Sequence, residues 1–308
     1  MITLTGIGDE AGNPLDTQIK ATKALGWSHI EMRNVEVPGF PCGNVHDIPD
    51  AAFDQLAGSL ADHGISISGF GSTIGNWASQ ITDDFSVTLE RADRAIPRMQ
   101  RLGTKLIRVM SYAVRKDEHG HDLPDQHEAE RFRRLRELKR RCDDAGLIMV
   151  HENCMNYGGM SISHALRCLE EVPGLRWVFD TCNPIFNMDR DNPPHMQDPW
   201  EFYKAVKPAI SHIHIKDGTY NPARRDADYT LPGLGSGRVA DILGDLIGSG
   251  YDGFVSIEPH TAVVFHSAAS PNAASGDDAE TRARNQFDSY VSYGHALTDL
   301  LRSIPGAL

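Results

Sequence analysis

Residues 126–153 read QHEAERFRRLRELKRRCDDAGLIMVHEN and carry one complete unit of the fold. The segment 126–145 has a helical period. Gly146 stands where such a helix would end, because glycine adopts the left-handed C-cap conformation cheaply. Leu147–His151 is then a short apolar, β-rich run. The same succession recurs on both sides. Candidate strands are Ile2–Ile7, Ser28–Arg33, Ile65–Phe70, Lys105–Met110, Leu147–His151, Trp177–Asp180, Ile210–Ile215 and Phe254–Ile257. Helical stretches lie near 14–26, 50–63, 84–102, 126–145, 162–171, 198–206, 238–249 and 280–303. Leu25-Gly26-Trp27, His63-Gly64-Ile65, Leu102-Gly103-Thr104 and Ser249-Gly250-Tyr251 repeat the junction from helix to glycine to strand. Eight strand–helix units in 308 residues predict an α/β fold, a (β/α)8 TIM barrel formed as one domain over 1–308. A doubly wound sheet is the alternative, but no GxGxxG follows the first strand. Gly233-Leu-Gly-Ser-Gly237 comes late, after a loop, and reads as a rim turn. The stretches 185–198, 219–237 and 261–279 depart from the pattern. Each follows a strand and is expected to form a rim or lid loop on the catalytic face.

Composition limits the classes of function. With 40% hydrophobic and 23% charged residues the chain is an ordinary globular one. Thirty basic against 42 acidic side chains leave a net charge of −12, which argues against a nucleic-acid partner, since phosphate backbones demand clustered Lys and Arg. The five cysteines, Cys42, Cys142, Cys154, Cys168 and Cys182, show no CxxC spacing. Reduced thiols are therefore expected, rather than a disulfide framework or a zinc ribbon. The opening MITLTGIGDEAGN has neither a basic start nor a long apolar run, and no span of about 18 apolar residues occurs. The expectation is a cytoplasmic protein with no membrane partner.

Polar residues stand where the apolar strands end. Strand five ends Val150-His151-Glu152-Asn153 and strand six Val178-Phe179-Asp180-Thr181. Strand seven reads Ile210-Ser211-His212-Ile213-His214-Ile215-Lys216-Asp217, and strand eight ends Val255-Ser256-Ile257-Glu258-Pro259-His260. Four consecutive strands thus deliver Glu, Asp, His and Glu to one end of the barrel. Three carboxylates buried together without compensation would cost many kcal/mol in repulsion and lost hydration. A divalent cation removes that cost, and three carboxylates with one imidazole suit Mn²⁺, Mg²⁺ or Co²⁺. His214 fits the imidazole because Ile213 and Ile215 must face the other way; the same alternation puts His212 and Lys216 on its face. Each residue also has a plainer explanation. A strand-end Asp caps a helix, a Glu pairs with a nearby cation, and His212 is a hydrogen-bonded core histidine. Glu31 and Arg33 share the inward face of strand two and can pair with each other. Arg108 raises the same alternative. Lys216 either holds a substrate oxygen or pairs with Asp217 or a rim acid.

The sequence resembles the sugar-phosphate isomerase/epimerase group of xylose isomerase-like TIM barrels, which also contains ketose 3-epimerases, inosose dehydratases and endonuclease IV. Near the N-terminus the likeness rests on Asp9-Glu10, Gln18-Ile19, Leu25-Gly26 and Ile30-Glu31-Met32-Arg33. More specific are His151-Glu152-Asn153, Asp180-Thr181, His212-Ile213-His214-Ile215-Lys216-Asp217 and Glu258. The resemblance implies that Glu152, Asp180, His214 and Glu258 hold one catalytic metal ion, Mn²⁺ first, with Mg²⁺ or Co²⁺ as alternatives. It also implies that Glu152 and Glu258 exchange protons with a substrate carbon. His212, Lys216, Asn183, His260 and Arg108 are the candidate substrate contacts. Three positions depart from the ketose 3-epimerase pattern: Asn183 replaces a histidine, Gly158 a glutamate and Tyr220 an arginine. The free-ketose activity is therefore not carried over.

The expected function is a metal-dependent isomerase or epimerase of a small sugar derivative, working through an enediolate. A lyase of the inosose or dehydroshikimate dehydratase type is the alternative, with His151, His212 or His260 protonating the departing hydroxyl. Endonuclease chemistry needs about three metals and a basic face, which one ligand quartet and the acidic balance oppose. The expected partner is a small carbohydrate; a homo-oligomer is an expectation from the family.

Overall fold

The computed structural model describes residues 1–262 and 278–308. Eight parallel strands form the frame: β1 (Thr3–Gly6), β2 (His29–Met32), β3 (Ser66–Phe70), β4 (Leu106–Arg108), β5 (Ile148–Glu152), β6 (Arg176–Asp180), β7 (Ile210–Ile215) and β8 (Phe254–Ile257). From β2 to β8 each strand pairs with the next and β8 pairs with β1; between β1 and β2 a parallel bridge from Ile7 to Glu31 nearly closes the ring. Between the strands run α1 (Leu15–Ala24), α2 (Asp50–His63), α3 (Phe85–Leu102), α4 (Glu128–Asp144), α5 (Ile162–Glu171), α6 (Pro199–Val206) and α7 (Val239–Gly248), with α8 (Ala279–Arg302) after β8. This is the (β/α)8 barrel that the spacing predicts. The helix ends explain themselves chemically. Gly64 and Gly103 close α2 and α3 with φ of 66° and 69°, a region that costs other residues energy. Ser161 and Asp198 open α5 and α6 by accepting backbone N–H groups with their side chains.

Strand alternation writes two surfaces on one ring. Ile107, Met149, Trp177, Phe179, Ile213, Ile215, Val255 and Ile257 are buried in the main core, between the sheet and the helices. The residues between them face the lumen. Leu106, Val150 and Val178, with Phe254 against them, form an apolar plug inside the ring. Two residues further along β4, β5 and β6 stand Arg108, Glu152 and Asp180, all buried. The lumen therefore changes from hydrocarbon to charge within one pleat.

The segment after β7 contains more structure than a loop. Asp217–Asn221 pairs antiparallel with Asp226–Thr230 as a hairpin. The Asp217 carboxylate then gathers four backbone N–H groups, from Gly218 at 2.9 Å, Gly233 at 2.8 Å, Gly235 at 3.0 Å and Gly237 at 2.9 Å. After β6, Asn183–Phe186 forms a single helical turn, and Met188 bridges Met196 across the following loop. The expected rim loop 261–279 lies mostly outside the described residues. No helix among the described residues is long and apolar enough to cross a membrane.

Candidate metal centre

Glu152, Asp180, His214 and Glu258 converge as the strand ends predict: one ligand atom from each lies within 4.8 Å of all the others. Local structure fixes each of them. Asn153 and Asp180 exchange hydrogen bonds, Nδ2 to the Asp180 carbonyl at 2.9 Å and the Asp180 N–H to Oδ1 at 2.8 Å. That lock sets the ends of β5 and β6 side by side. Oδ1 of Asp180 accepts the N–H groups of Cys182 at 2.9 Å and Asn183 at 2.6 Å, capping the helical turn. The plain role of a strand-end Asp is thus filled by one oxygen. The other, Oδ2, accepts no hydrogen bond and forms an ion pair with Lys216 Nζ at 3.2 Å. Arg108 Nη1 donates to Glu152 Oε2 at 2.6 Å and Asn183 Nδ2 to Oε1 at 3.2 Å. Glu258 accepts from Arg33 Nη1 at 2.8 Å and from Lys216 Nζ at 3.1 Å.

The imidazole is aimed by a residue on the far side of the lumen. Glu31 on β2 meets His212 Nε2 at 2.7 Å and His214 Nε2 at 3.0 Å. A carboxylate can only accept, so both rings carry a proton on Nε2. His214 Nδ1 therefore points into the quartet, 3.4 Å from Glu152 Oε1 and 3.8 Å from Glu258 Oε2, without a hydrogen-bond partner. Burial would raise the Glu31 pKa, but His214 and His212 outweigh it and hold the group well below the usual carboxylate range.

Charge decides whether a cation fits. Six buried carboxylates, Asp9, Glu10, Glu31, Glu152, Asp180 and Glu258, face three buried permanent cations, Arg33, Arg108 and Lys216. Burial, with Glu258 and Glu152 close by, pushes Asp180 up to about 6 even against the pull of Lys216. Burial acts the same way on Glu152, yet Arg108 and His214 hold it at about 2. The acids outnumber the cations even when His214 is counted among them, since Glu31 and Glu152 overcome its burial and raise its pKa well above the ordinary value. Asp180 Oδ2 and His214 Nδ1 carry no hydrogen bond and are ligand atoms. The residues fit a divalent ion.

Several expectations change. Glu31 does not pair with Arg33. It binds the two histidines, while Arg33 reaches Asp9 at 3.0 Å, Glu10 at 2.8 Å and Glu258 at 2.8 Å. Lys216 does not pair with Asp217, whose carboxylate is enclosed by loop amides; it pairs with Asp180 and Glu258. The quartet is not the only acid–histidine cluster among the described residues. Glu31, His212 and His214 form another, and Glu10, Glu258 and His260 a third. The first is closed by its own hydrogen bonds, and Arg33 occupies the acids of the second. Asp9 and Glu10 enter the sequence reading only through the family likeness and Glu31 only as a partner for Arg33, although the strand-end pattern that places Glu152 and Asp180 also places these three, at strands one and two.

A cavity of about 190 Å³ lies over the quartet, lined by Glu152, Glu258, Arg108, Asn183, Lys216 and His260 among others. His212 is not part of this lining and sits deeper, against Glu31. His151 is outward-facing: its Nε2 is 2.9 Å from Ser111 Oγ, its ring stacks 4.7 Å from Trp177, and burial lowers its pKa to about 3. Gly158 explains one departure. A Cβ there would fall 2.5 Å from His151 Cε1, so no glutamate fits.

A family model described as xylose isomerase-like TIM barrel matches residues 19–297. The chain belongs to the xylose isomerase-like TIM barrel family. Among solved structures, this xylose isomerase-like barrel is similar to a xylose isomerase-like TIM barrel protein from Mycobacterium smegmatis in complex with magnesium, at 19% identity, TM-score 0.62, over 96% of this chain and 97% of that one. A D-psicose 3-epimerase with D-tagatose, from Clostridium cellulolyticum H10, matches at 15% identity and TM-score 0.64, over 96% and 98%. A probable 3-DHS dehydratase from Bacillus anthracis matches at 15% identity and TM-score 0.63, over 97% and 99%. These likenesses establish the fold. A comparison with curated proteins gives no match.

Proposed function

We propose that the protein is a divalent-metal-dependent isomerase or epimerase of a small sugar derivative, with Glu152 and Glu258 as the acid–base pair. One observation carries the reading. The two glutamates rise from β5 and β8, three strands apart in the ring, line one cavity and both approach Nδ1 of His214. A cation held by Glu152, Asp180, His214 and Glu258, manganese by first choice, would bind neighbouring substrate oxygens and acidify a C–H next to a carbonyl. The chain's own groups do the rest. Arg108 and Asn183 fix Glu152, and Arg33 and Lys216 fix Glu258, so each carboxylate keeps one orientation. The lowered pKa values favour the ionised form, the state that takes a proton from carbon, so the glutamate on the opposite side must first take up a proton from solvent before it can deliver one. One glutamate removes the proton and the other returns one from its own side. Lys216 and Arg108 also line the cavity and can donate to substrate oxygens.

A lyase is the second reading, favoured by His260. It lines the same cavity, with Nδ1 3.1 Å from Glu10 Oε1, and is placed to protonate a departing hydroxyl. The neighbours in fold include enzymes of both kinds. Incubation of manganese-loaded protein in D₂O with ketoses, sugar phosphates, inososes and keto-glycosides separates them. Deuterium entering one carbon at conserved mass supports the isomerase, and loss of water supports the lyase. Absence of exchange across the panel, with no metal bound at stoichiometry, would overturn both.

A further inference from the structure

The cavity over the quartet borders a larger space, across Trp77 and Met155, that the proposed chemistry leaves unused. This outer groove measures about 940 Å³, and Trp77 and Met155 line both it and the inner cavity of about 190 Å³. Small-molecule sites run to roughly 300–1,000 Å³. The inner cavity alone suits a small unit, and the two together a longer molecule.

The groove wall is apolar and adaptable. Trp77 is 43% exposed and lines it with Met155, Met188, Met196 and Phe186. Thioether side chains repack around flat rings, and an open indole offers a stacking face. The groove's charge has one sign. Lys116, Arg190 and Arg225 line it, whereas no Asp or Glu among the described residues does, in a chain of net charge −12. Arg190 is committed to Asp122 at 2.9 Å. Lys116 and Arg225 are exposed and have no carboxylate partner among the described residues. An apolar trough with two uncommitted cations is complementary to a flat, apolar anion.

We infer that the substrate is a conjugate: a sugar unit in the inner cavity joined to an aromatic group bearing a carboxylate, which lies in the outer groove. The inference rests on reading the inner cavity as a sugar site and narrows its substrate class. Stacking on Trp77 and contact with the methionines hold the ring, and Lys116 with Arg225 answers the charge.

Calorimetric titration of the full chain with methyl, phenyl and 4-carboxyphenyl β-D-glucopyranoside tests it, with tryptophan fluorescence as a second readout. Affinity should rise in that order, by roughly tenfold or more from the first to the last. Trp77→Ala should abolish the gain from the ring. Lys116→Ala with Arg225→Ala should abolish only the gain from the carboxylate, at unchanged melting temperature. Repeating the titration with chelator separates the two readings. Aryl affinity that survives chelation, on a protein that exchanges no sugar proton, supports the groove and sinks the proposed function. Sugar exchange without any aryl gain does the reverse. Equal binding of all three glucosides, or a gain that both variants leave intact, would overturn the inference. So would a dimer that Trp77→Ala dissociates, because the groove would then belong to a second copy.

Discussion

Replacing Glu152 or Glu258 by glutamine keeps an oxygen for the cation and removes a base. Turnover should fall by roughly 10²–10⁴-fold while metal occupancy stays near wild type. In an epimerisation each variant should first lose deuterium wash-in from its own epimer, which NMR of both epimers in D₂O reads directly. Near-wild-type turnover in Glu258→Gln, with full occupancy, would remove that residue from the mechanism. Glu31 belongs to a different class, since it holds the ring that faces the quartet rather than the substrate. Glu31→Gln should weaken metal binding by roughly 10–100-fold, followed by competition with a chromophoric chelator. An unchanged affinity would mean that packing alone orients His214. How far the site could be read in advance differs between these residues for a physical reason. The inward face of His214 follows from its isoleucine neighbours, which are local. The partner of its Nε2 is 183 residues away, and parity says which face a side chain takes but not which strand it meets across the lumen.

At the scale of elements, the regular pieces were legible and the irregular ones were not. All eight strands and the eight helices between and after them follow from period and glycine punctuation. The hairpin Asp217–Asn221/Asp226–Thr230 did not, because its strands are short, polar and rich in residues with low β-propensity. The turn Tyr157–Gly159 is set by packing that sequence does not display. Gly158→Ala should cost roughly 1–3 kcal/mol by pressing on His151, measurable as a lower denaturation midpoint. α4 is stabilised differently. Glu130 is bonded by Arg133 and Arg134, and Glu137 by Arg140 and Arg141, which hold both acids at about 2. Their folded values lie below the ordinary glutamate value of about 4.3. The contribution is therefore complete above that value and disappears as pH falls towards 2. These pairs are solvent-screened, so each is worth a few tenths of a kcal/mol. The stability gap between wild type and Glu130→Gln/Glu137→Gln should narrow from pH 6 to pH 3, and also in high salt. A gap independent of both would assign the effect to helix propensity.

Across the whole molecule, the surplus of negative charge in the lumen should make folding depend on the ion. At a free metal concentration 100-fold above Kd the native state gains about 2.7 kcal/mol, so a chelator should lower the melting temperature. Asp180→Asn and His214→Ala should each bind less metal and show a smaller chelator effect, with the far-ultraviolet spectrum of the barrel retained. A melting temperature indifferent to chelator in wild type would argue that Lys216 and the arginines already balance the charge. The barrel was legible because its repeat is redundant, with each unit restating the same pattern. The substrate was not, because the outer groove is lined by residues from segments between the barrel strands, which share no pattern. The pleat that alternates jacket and lumen has one more consequence. Two texts are interleaved letter by letter on the same strands, one addressed to the helices and one to the substrate. Rewriting alternate letters changes the reaction and leaves the architecture intact, whereas inserting a single letter garbles both. Such a ring tolerates substitution in its chemistry and forbids a shift of frame.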